Sequence, residues 1–306
     1  MTSSSPSSSP SPAPEAPAAQ NKMPFGRWFR EIGWRHVVGV LALAFAAFPV
    51  LYIISASLNP LGTVASTSLV PTQVSLVNYE TLLSGAKGDF TGWYLNTILV
   101  CLVVAGVQVF LSSLAAYAFS RFRFKGRRGG LLALLLIMMF PAILSMIAIY
   151  TMISEIGDVV PALGLNTLTG YCLALLGGAL GQVWLIKGTF DTIPKELDEA
   201  AILDGCTHWQ VFTRILLPAL RPILATTFLL AFVGIISEFL LGSIFLTEDS
   251  KKTLAVGLYG LLAADRSNNL GIFAAGSVMT MVPIIALFQY LQRYIVGGAT
   301  AGAVKG

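Results

Sequence analysis

Six apolar runs, each long enough to cross a hydrocarbon core, decide the class of this chain before any motif is read. A spanning helix needs about 20 residues, and such runs lie at Val37 to Ser57, Asn96 to Phe119, Leu131 to Met152, Thr169 to Gly188, Pro222 to Leu246 and Ile272 to Ile295. The rest of the chain cannot supply a water-soluble surface. Of 306 residues 55% are hydrophobic and 11% charged, whereas soluble domains are about a quarter charged. The expectation is an all-α membrane protein with six transmembrane helices.

Residues 1 to 20 are mostly Ser, Pro and Ala with a single charge, Glu15. They lack the large apolar side chains that fold a segment by itself and read as a disordered cytoplasmic tail. Residues 21 to 306 then form one transmembrane domain. Ser55-Ala56-Ser57 is loosely like a signal-peptidase site, but the run before it exceeds the usual apolar core of about 7–15 residues, so it reads as an uncleaved first span. If the N-terminus is cytoplasmic, fifteen of the nineteen lysines and arginines fall inside. They precede the first span, or lie in Arg121 to Arg128, in Lys187 to Arg221, and at Arg293 and Lys305. Only Lys87, Lys251, Lys252 and Arg266 are left outside. This asymmetry obeys the positive-inside rule and predicts that both termini are cytoplasmic.

The net charge of +4 is too modest and too localised for a nucleic-acid footprint. Cys101, Cys172 and Cys206 lie far apart, and His36 and His208 have no second ligand near them in sequence, so neither a disulfide framework nor a metal site is expected.

Several residues interrupt the apolar runs. Pro141 and Pro283 remove helix hydrogen bonds in the third and sixth runs and would loosen them locally. Gly177 and Gly181 form a G-x-x-x-G, read as close helix packing. Glu238 is the one acid within an apolar run. It must face the protein interior or a watery path, either bonding to neighbouring helices or lining the translocation route. Outside, a short amphipathic helix is expected near Val77 to Leu83 in the loop from Leu58 to Leu95, while the loop from Ile153 to Leu168 is short.

Between the fourth and fifth runs lies a hydrophilic stretch, residues 191 to 217. Ile193-Pro194-Lys195-Glu196-Leu197-Asp198-Glu199 has the form of a helix start, with proline in the first turn and acids that complement the macrodipole. Gly205 stops it as a C′ residue would. On that helix Leu197, Ala200, Ala201 and Asp204 fall at i, i+3, i+4 and i+7, one face on which two small alanines admit close approach. A second helix follows, opened by a Thr207/Gln210 capping box, with Trp209, Phe212, Ile215 and Leu216 as its apolar side and Pro218 and Pro222 at its end.

The sequence Glu199-Ala200-Ala201, Asp204-Gly205 and Leu217-Pro218 resembles the cytoplasmic E-A-A-x-x-x-G motif of permease subunits of binding-protein-dependent ABC importers. Met139-Phe140-Pro141-Ala142, Thr253-Leu254-Ala255-Val256-Gly257 and the terminal Thr300-Ala301-Gly302-Ala303-Val304-Lys305-Gly306 are similar to the smaller permease subunit of maltose and maltodextrin importers. Arg121-Phe122-Arg123-Phe124-Lys125-Gly126 resembles a stretch that recurs in sugar permeases, although a basic stop at the cytoplasmic face also explains its arginines.

The resemblance implies the type I ABC importer fold in a bacterial cell membrane, half of a sugar pathway completed by a homologous permease subunit. It implies a coupling helix in which Glu199, Ala200, Ala201, Asp204 and Gly205 meet a dimeric ATPase. It also implies an outside loop, Leu262, Ala263, Ala264, Asp265, Arg266 and Ser267, that faces a sugar-binding protein, and a tail, Ala303, Val304, Lys305 and Gly306, that touches the ATPase. In sugar importers an Asn often precedes the acid that corresponds to Glu238; here Ser237 stands in that place.

No G-x-x-x-x-G-K-[ST] and no catalytic constellation occur in these residues, so the chain is expected to be a transport subunit and not an enzyme. No cofactor is expected on it; ATP and magnesium would sit in the partner. The alternatives are import of another oligosaccharide, such as trehalose or a cyclodextrin, and ion-coupled secondary transport, for which Glu238 alone offers a buried charge.

Overall fold

The computed structural model describes residues 25–60 and 73–303, which are helical and without strands. The Ser/Pro/Ala tail, Pro71 and Val304 to Gly306 lie outside the described residues. The chain divides into two compact units, Met1–Val50 and Leu51–Gly306.

In the first unit, turns at Phe25–Trp28 and Phe29–Gly33 lead into α1, Trp34–Leu58, whose last eight residues belong to the second unit. Arg27 and Glu31 form an i, i+4 ion pair at 2.9 Å before the apolar run begins. Along α1 the large apolar side chains Leu41, Leu43 and Phe45 are exposed. A helix with such apolar side chains on all sides suits a lipid surrounding.

The second unit holds α2, Val77–Leu83; α3, Phe90–Arg121; α4, Arg127–Met139; α5, Ala142–Val159; and α6, Leu168–Phe190. After it come α7, Glu196–Leu203; α8, His208–Ala219; α9, Arg221–Ile236; α10, Leu240–Phe245; α11, Leu254–Ala264; and α12, Arg266–Ala303. The amphipathic helix expected at Val77 to Leu83 is α2, fastened by Asn78, whose side chain donates to Ser57 O and Asn59 O at 3.0 and 2.9 Å.

The spine is α3. Its 32 residues extend about 48 Å at 1.5 Å per residue, and each third feeds a different apolar cluster. Phe90 and Trp93 pack with Leu82, Leu254 and Ile272. Val100, Cys101 and Val104 pack with Tyr171, Phe232 and Phe245. Ala116 and Tyr117 pack with Phe190, Phe212 and Leu216. Polar residues on the buried side of α3 bond back into helices: Thr97, Ser112 and Ser113 donate to carbonyls four residues earlier at 2.6–2.8 Å. Backbone groups in lipid need such internal partners.

Six straight rods are not what the structure contains. Four helices are long and apolar enough to span, or up to six if each of two bent pairs counts as one span. The third expected run breaks where Pro141 forces Phe140 out of helical geometry (φ −71°, ψ 131°), and α4 and α5 diverge by 103°. The fifth run, Pro222 to Leu246, also breaks, because α9 ends at Ile236 and α10 starts at Leu240. The other bent pair is α8 with α9, at 79°. Pro283 by contrast leaves α12 continuous.

The fourth run stays whole but tightens to a 3₁₀ turn at Leu176–Gly178. That turn frees carbonyls, and α3 supplies donors: Gln108 Nε2 reaches Leu175 O, and Ser112 Oγ reaches Ala179 O, both at 2.7 Å. Gly178 permits this approach, since a Cβ there would collide with the Gln108 amide. Gly177 and Gly181, expected to pack closely, instead have open space or only a distant methionine methyl beside them.

Candidate functional site

The hydrophilic stretch folds as its local signals predict except at its start, where Pro194 precedes the first helix instead of lying in its first turn. Helix α7 begins at Glu196, with acids in its first turn, and closes in a Schellman arrangement: Cys206 N–H donates to Ala201 O at 2.9 Å, and Gly205 N–H to Ile202 O at 3.0 Å. Gly205 has φ +87°, left-handed backbone that costs any other residue. The Thr207 capping box is complete, with Thr207 N–H to Gln210 Oε1 at 2.8 Å and Gln210 N–H to Thr207 Oγ1 at 3.3 Å.

What local signals do not give is the register of α7 on the bundle. Its inner face is Asp198 and Ala201, both buried; Glu199, Ala200, Asp204 and Gly205 are exposed. The two alanines therefore divide, because adjacent helical residues point about 100° apart. Ala201 belongs to the chain's own core with Val183, Phe212 and Leu216, and Ala200 alone remains on the open face. Beside it stand Leu197 and a nearly bare Leu203, 88% exposed. On α8 the apolar side runs through Val211, Phe212 and Leu216, all buried like Leu220 just beyond its end, whereas Trp209 stays open to its surroundings. Residues 211–216 widen to a π-helix before Pro218, which brings no N–H of its own.

The inner face is bolted to the end of α3. Arg121 Nε lies 2.6 Å from Asp198 Oδ2, with both side chains largely buried, and Arg121 Nη2 donates to Ile193 O at 3.0 Å. Arg121 is thus a structural clamp, while Arg123, Lys125 and Arg128 beside it are exposed. Asp191, at the end of α6, accepts from Ser120 Oγ at 2.6 Å and Lys187 Nζ at 2.5 Å. Burial opposes its charge, but those two donors outweigh it and hold the carboxyl below the usual aspartate range. Tyr117 packs its ring against Phe122, Phe190 and Phe212 with centroids 5.2–6.0 Å apart. The inner face of α7 is thereby tied to the end of α3, and α3 to the end of α6.

Within the bundle, Glu238 sits at the break between α9 and α10 and its carboxylate accepts three hydrogen bonds. Leu241 N–H and Gly242 N–H donate at 2.7 and 3.0 Å, and Tyr171 O–H at 2.5 Å. It caps α10 with the negative charge a helix N-terminus favours. It also borders a cavity of about 1000 Å³ whose wall includes Gln108, Ser145, Met146, Gly177 and Gly181. Glu238 therefore bonds to neighbouring helices and at the same time lines this cavity.

At the other end of α3 the chain forms a pinned platform. Trp93 Nε1 donates to Asp249 O, and Asn96 Nδ2 to Ser250 O and Lys252 O, all at 3.0 Å. Asn166 Oδ1 accepts from Thr247 and Glu248 N–H. Leu262 to Ser267, expected as a loop, is a helix corner. Leu262, Ala263 and Ala264 end α11, and Arg266 and Ser267 start α12. Asp265 turns the chain by accepting from Ser267 and Asn268 N–H at 3.1 Å. Ala303 is the last residue of α12. Among the described residues, no three His, Cys, Asp or Glu side chains gather as a metal would require.

Sequence reasoning missed Arg121–Asp198, Tyr117, Gln108 and Tyr171 as parts of these sites. Arg121 and Asp198, Gln108 and Leu175, Tyr171 and Glu238, and Tyr117 and its partners Phe190 and Phe212 stand 67 or more residues apart, and no local pattern joins them.

Three similarities bear on what this geometry serves. The chain is 41% identical over 283 residues to the maltose/maltodextrin transport system permease protein MalG of Yersinia pestis, covering 89% of this chain and 92% of that protein. The Escherichia coli protein of the same name matches at 41% identity over 89% of this chain and 95% of its own length. In three dimensions the chain superposes with TM-score 0.71, at 24% identity, on a chain of a crystal structure of a bacterial ABC transporter involved in the import of the acidic polysaccharide alginate, over 88% of this chain and 98% of that one. Residues 108–299, which include the clamp, both caps and the cavity wall, match the binding-protein-dependent transport system inner membrane component family, and the chain belongs to that family.

Proposed function

We propose that this chain is the permease subunit of an ATP-driven sugar importer and that its sugar is maltose or a maltodextrin. The observation that carries this reading is the 41% identity, spread over 89% of the chain, to maltose/maltodextrin permeases. In this reading the helices form half of a pathway through a bacterial inner membrane, with both termini cytoplasmic, and a homologous permease forms the other half. A sugar-binding protein outside delivers the substrate against the platform at Thr247 to Lys252 and the corner at Leu262 to Ser267.

Energy enters through a separate dimeric ATPase that binds ATP and magnesium. Glu199 would pair with a basic residue there, Ala200 and Leu203 would seat in its cleft, and Gly205 would fix the turn that presents them. The tail from Ala303 through Val304, Lys305 and Gly306 would touch the same partner. For ATP to shift the pathway between openings, the ATPase must hold α7 differently in its two states, since equal contact in both would move no population. The clamp at Arg121 and Asp198 gives that difference a rigid route into α3.

Glu199→Ala combined with Gly205→Leu tests the assignment in the assembled transporter in proteoliposomes. ATP-driven maltose uptake is expected to fall at least tenfold while the permease remains in the membrane. Unchanged uptake refutes the coupling role of α7. ATP-dependent uptake of trehalose or a cyclodextrin in place of maltose refutes the substrate, and uptake without any ATPase overturns the transport class.

A further inference from the structure

The segment between α3 and α4, with the first turn of α4, gathers four cations, Arg123, Lys125, Arg127 and Arg128. Phe122 is extended (φ −88°, ψ 147°), and along Phe122 to Lys125 the aromatic and basic residues alternate. The aromatic pair packs on the bundle: Phe122 meets the rings of Tyr117 and His208 at 5.2 and 5.3 Å, and Phe124 meets Phe119 at 5.6 Å. Both rings keep an exposed edge, and Arg123 and Lys125 between and beside them are exposed as well. Gly126 then turns through left-handed geometry (φ +89°) into α4, whose first turn carries Arg127 and Arg128.

Two features of this turn are electrically unfavourable as they stand. Cations occupy the positive end of the α4 dipole, and no side chain caps its N-terminal amides. Arg127 is partly provided for, since its Nε donates to Phe119 O at 2.7 Å and Asp191 feels its charge. Arg123, Lys125 and Arg128 make no ion pair among the described residues. Together with Leu131 they line an open concavity of about 900 Å³.

We infer that this concavity binds the phosphate of an anionic phospholipid headgroup, with Arg123, Lys125 and Arg128 as its charge partners. The lipid source follows from what comes next in the chain. From Leu131 to Met139 α4 has no polar side chain, and Leu132 is 60% exposed, so an acyl chain has an apolar helix to lie along directly beneath the phosphate. A soluble anion would gain nothing from that continuation. Each Lys or Arg near a membrane surface strengthens attraction to anionic lipid by about 1 kcal/mol, or roughly fivefold in affinity. A fixed cluster adds position to that attraction.

The test uses the full transporter, permeases and ATPase together, solubilised from membranes of mixed phosphatidylglycerol and phosphatidylcholine, with retained lipid counted by native mass spectrometry. Wild type is expected to retain phosphatidylglycerol in preference. Arg123→Gln/Lys125→Gln/Arg128→Gln should lower that retention at least tenfold, and Lys251→Gln/Lys252→Gln, at the far end of α3, should leave it unchanged. The single variant Arg128→Gln, expected to show a several-fold loss, keeps the inference testable if the triple variant fails to accumulate. Equal retention by wild type and the variants overturns the proposal. So does displacement of phosphatidylglycerol by millimolar inorganic phosphate, which would mark a site for a free anion. A variant that keeps its lipid but loses the ATPase on purification overturns it in favour of a protein-docking surface.

Discussion

Arg121 Nε lies 2.6 Å from Asp198 Oδ2, joining the last turn of α3 to the inner face of α7 across 77 residues of chain. Both side chains are largely shielded from solvent, so the pair is costly to break and cheap to replace as a unit. Asp198→Ala is expected to destabilise the assembled transporter by about 3–5 kcal/mol, because it leaves the guanidinium buried without its counter-charge. Arg121→Met combined with Asp198→Leu should recover most of that loss in a thermal melt yet leave uptake poorly coupled to ATP hydrolysis. A double variant as unstable as the single one would show that the pair has no special weight.

Glu238 gives a second prediction. With Tyr171→Phe the carboxylate keeps its two backbone donors, and the expected cost is about 1 kcal/mol, one hydrogen bond to a charged group offset by the removal of a buried hydroxyl. Glu238→Ala removes the cap of α10 and all three bonds at once, and should cost about 2 kcal/mol or more. If the carboxylate also faces the sugar route, Glu238→Gln, which preserves shape, will raise the KM for uptake with little change in melting temperature. An unchanged KM would leave the helix cap as its whole role.

How much of this was legible depends on the range of the forces involved. Helix α2, the stop at Gly205 and the Thr207 capping box are set by residues within a turn of one another, and periodicity and cap chemistry alone locate them. The break at Phe140 could be read in part, since Pro141 marks it. The break at Ser237 to Phe239 could not, because it depends on Glu238 turning back to cap the next helix and on Tyr171 holding it there. Ala201 shows the same limit: the sequence places it on a face with Ala200, but only packing against Val183 and Phe212 decides which of the two is open. The corner at Asp265 carried a legible sign, an aspartate two and three residues ahead of amides that open a helix, and reading the segment as a loop passed over it.

The glycines of α6 separate two kinds of small residue. Gly178→Ala should push the Gln108 amide off Leu175 O and strand a carbonyl within the bundle, at an expected cost of about 1–3 kcal/mol. Gly177→Ala, with open space at its Cβ, should be neutral in stability within about 0.5 kcal/mol. Thermal melts of the two variants in the same detergent check the contrast, and equal costs would refute the reading of Gly178 as the point of close approach.

Asp191 makes the clamp end of the bundle pH-sensitive in one direction. Its carboxyl is held below the ordinary aspartate value by Lys187 and Ser120 despite burial, so the folded state binds its proton less readily than the unfolded chain. The resulting stability is present above an unfolded pKa of about 3.9 and is lost as pH falls through the lower folded value. Ser120→Ala should therefore narrow the gap between the two values and lower stability at neutral pH. It should change stability little once pH has fallen below the folded value, where the carboxyl is protonated in both variants. Melting temperatures of wild type and Ser120→Ala measured from pH 7 downward should converge at the acid end. Curves that run parallel throughout would mean that the serine acts by packing and not through the charge on Asp191.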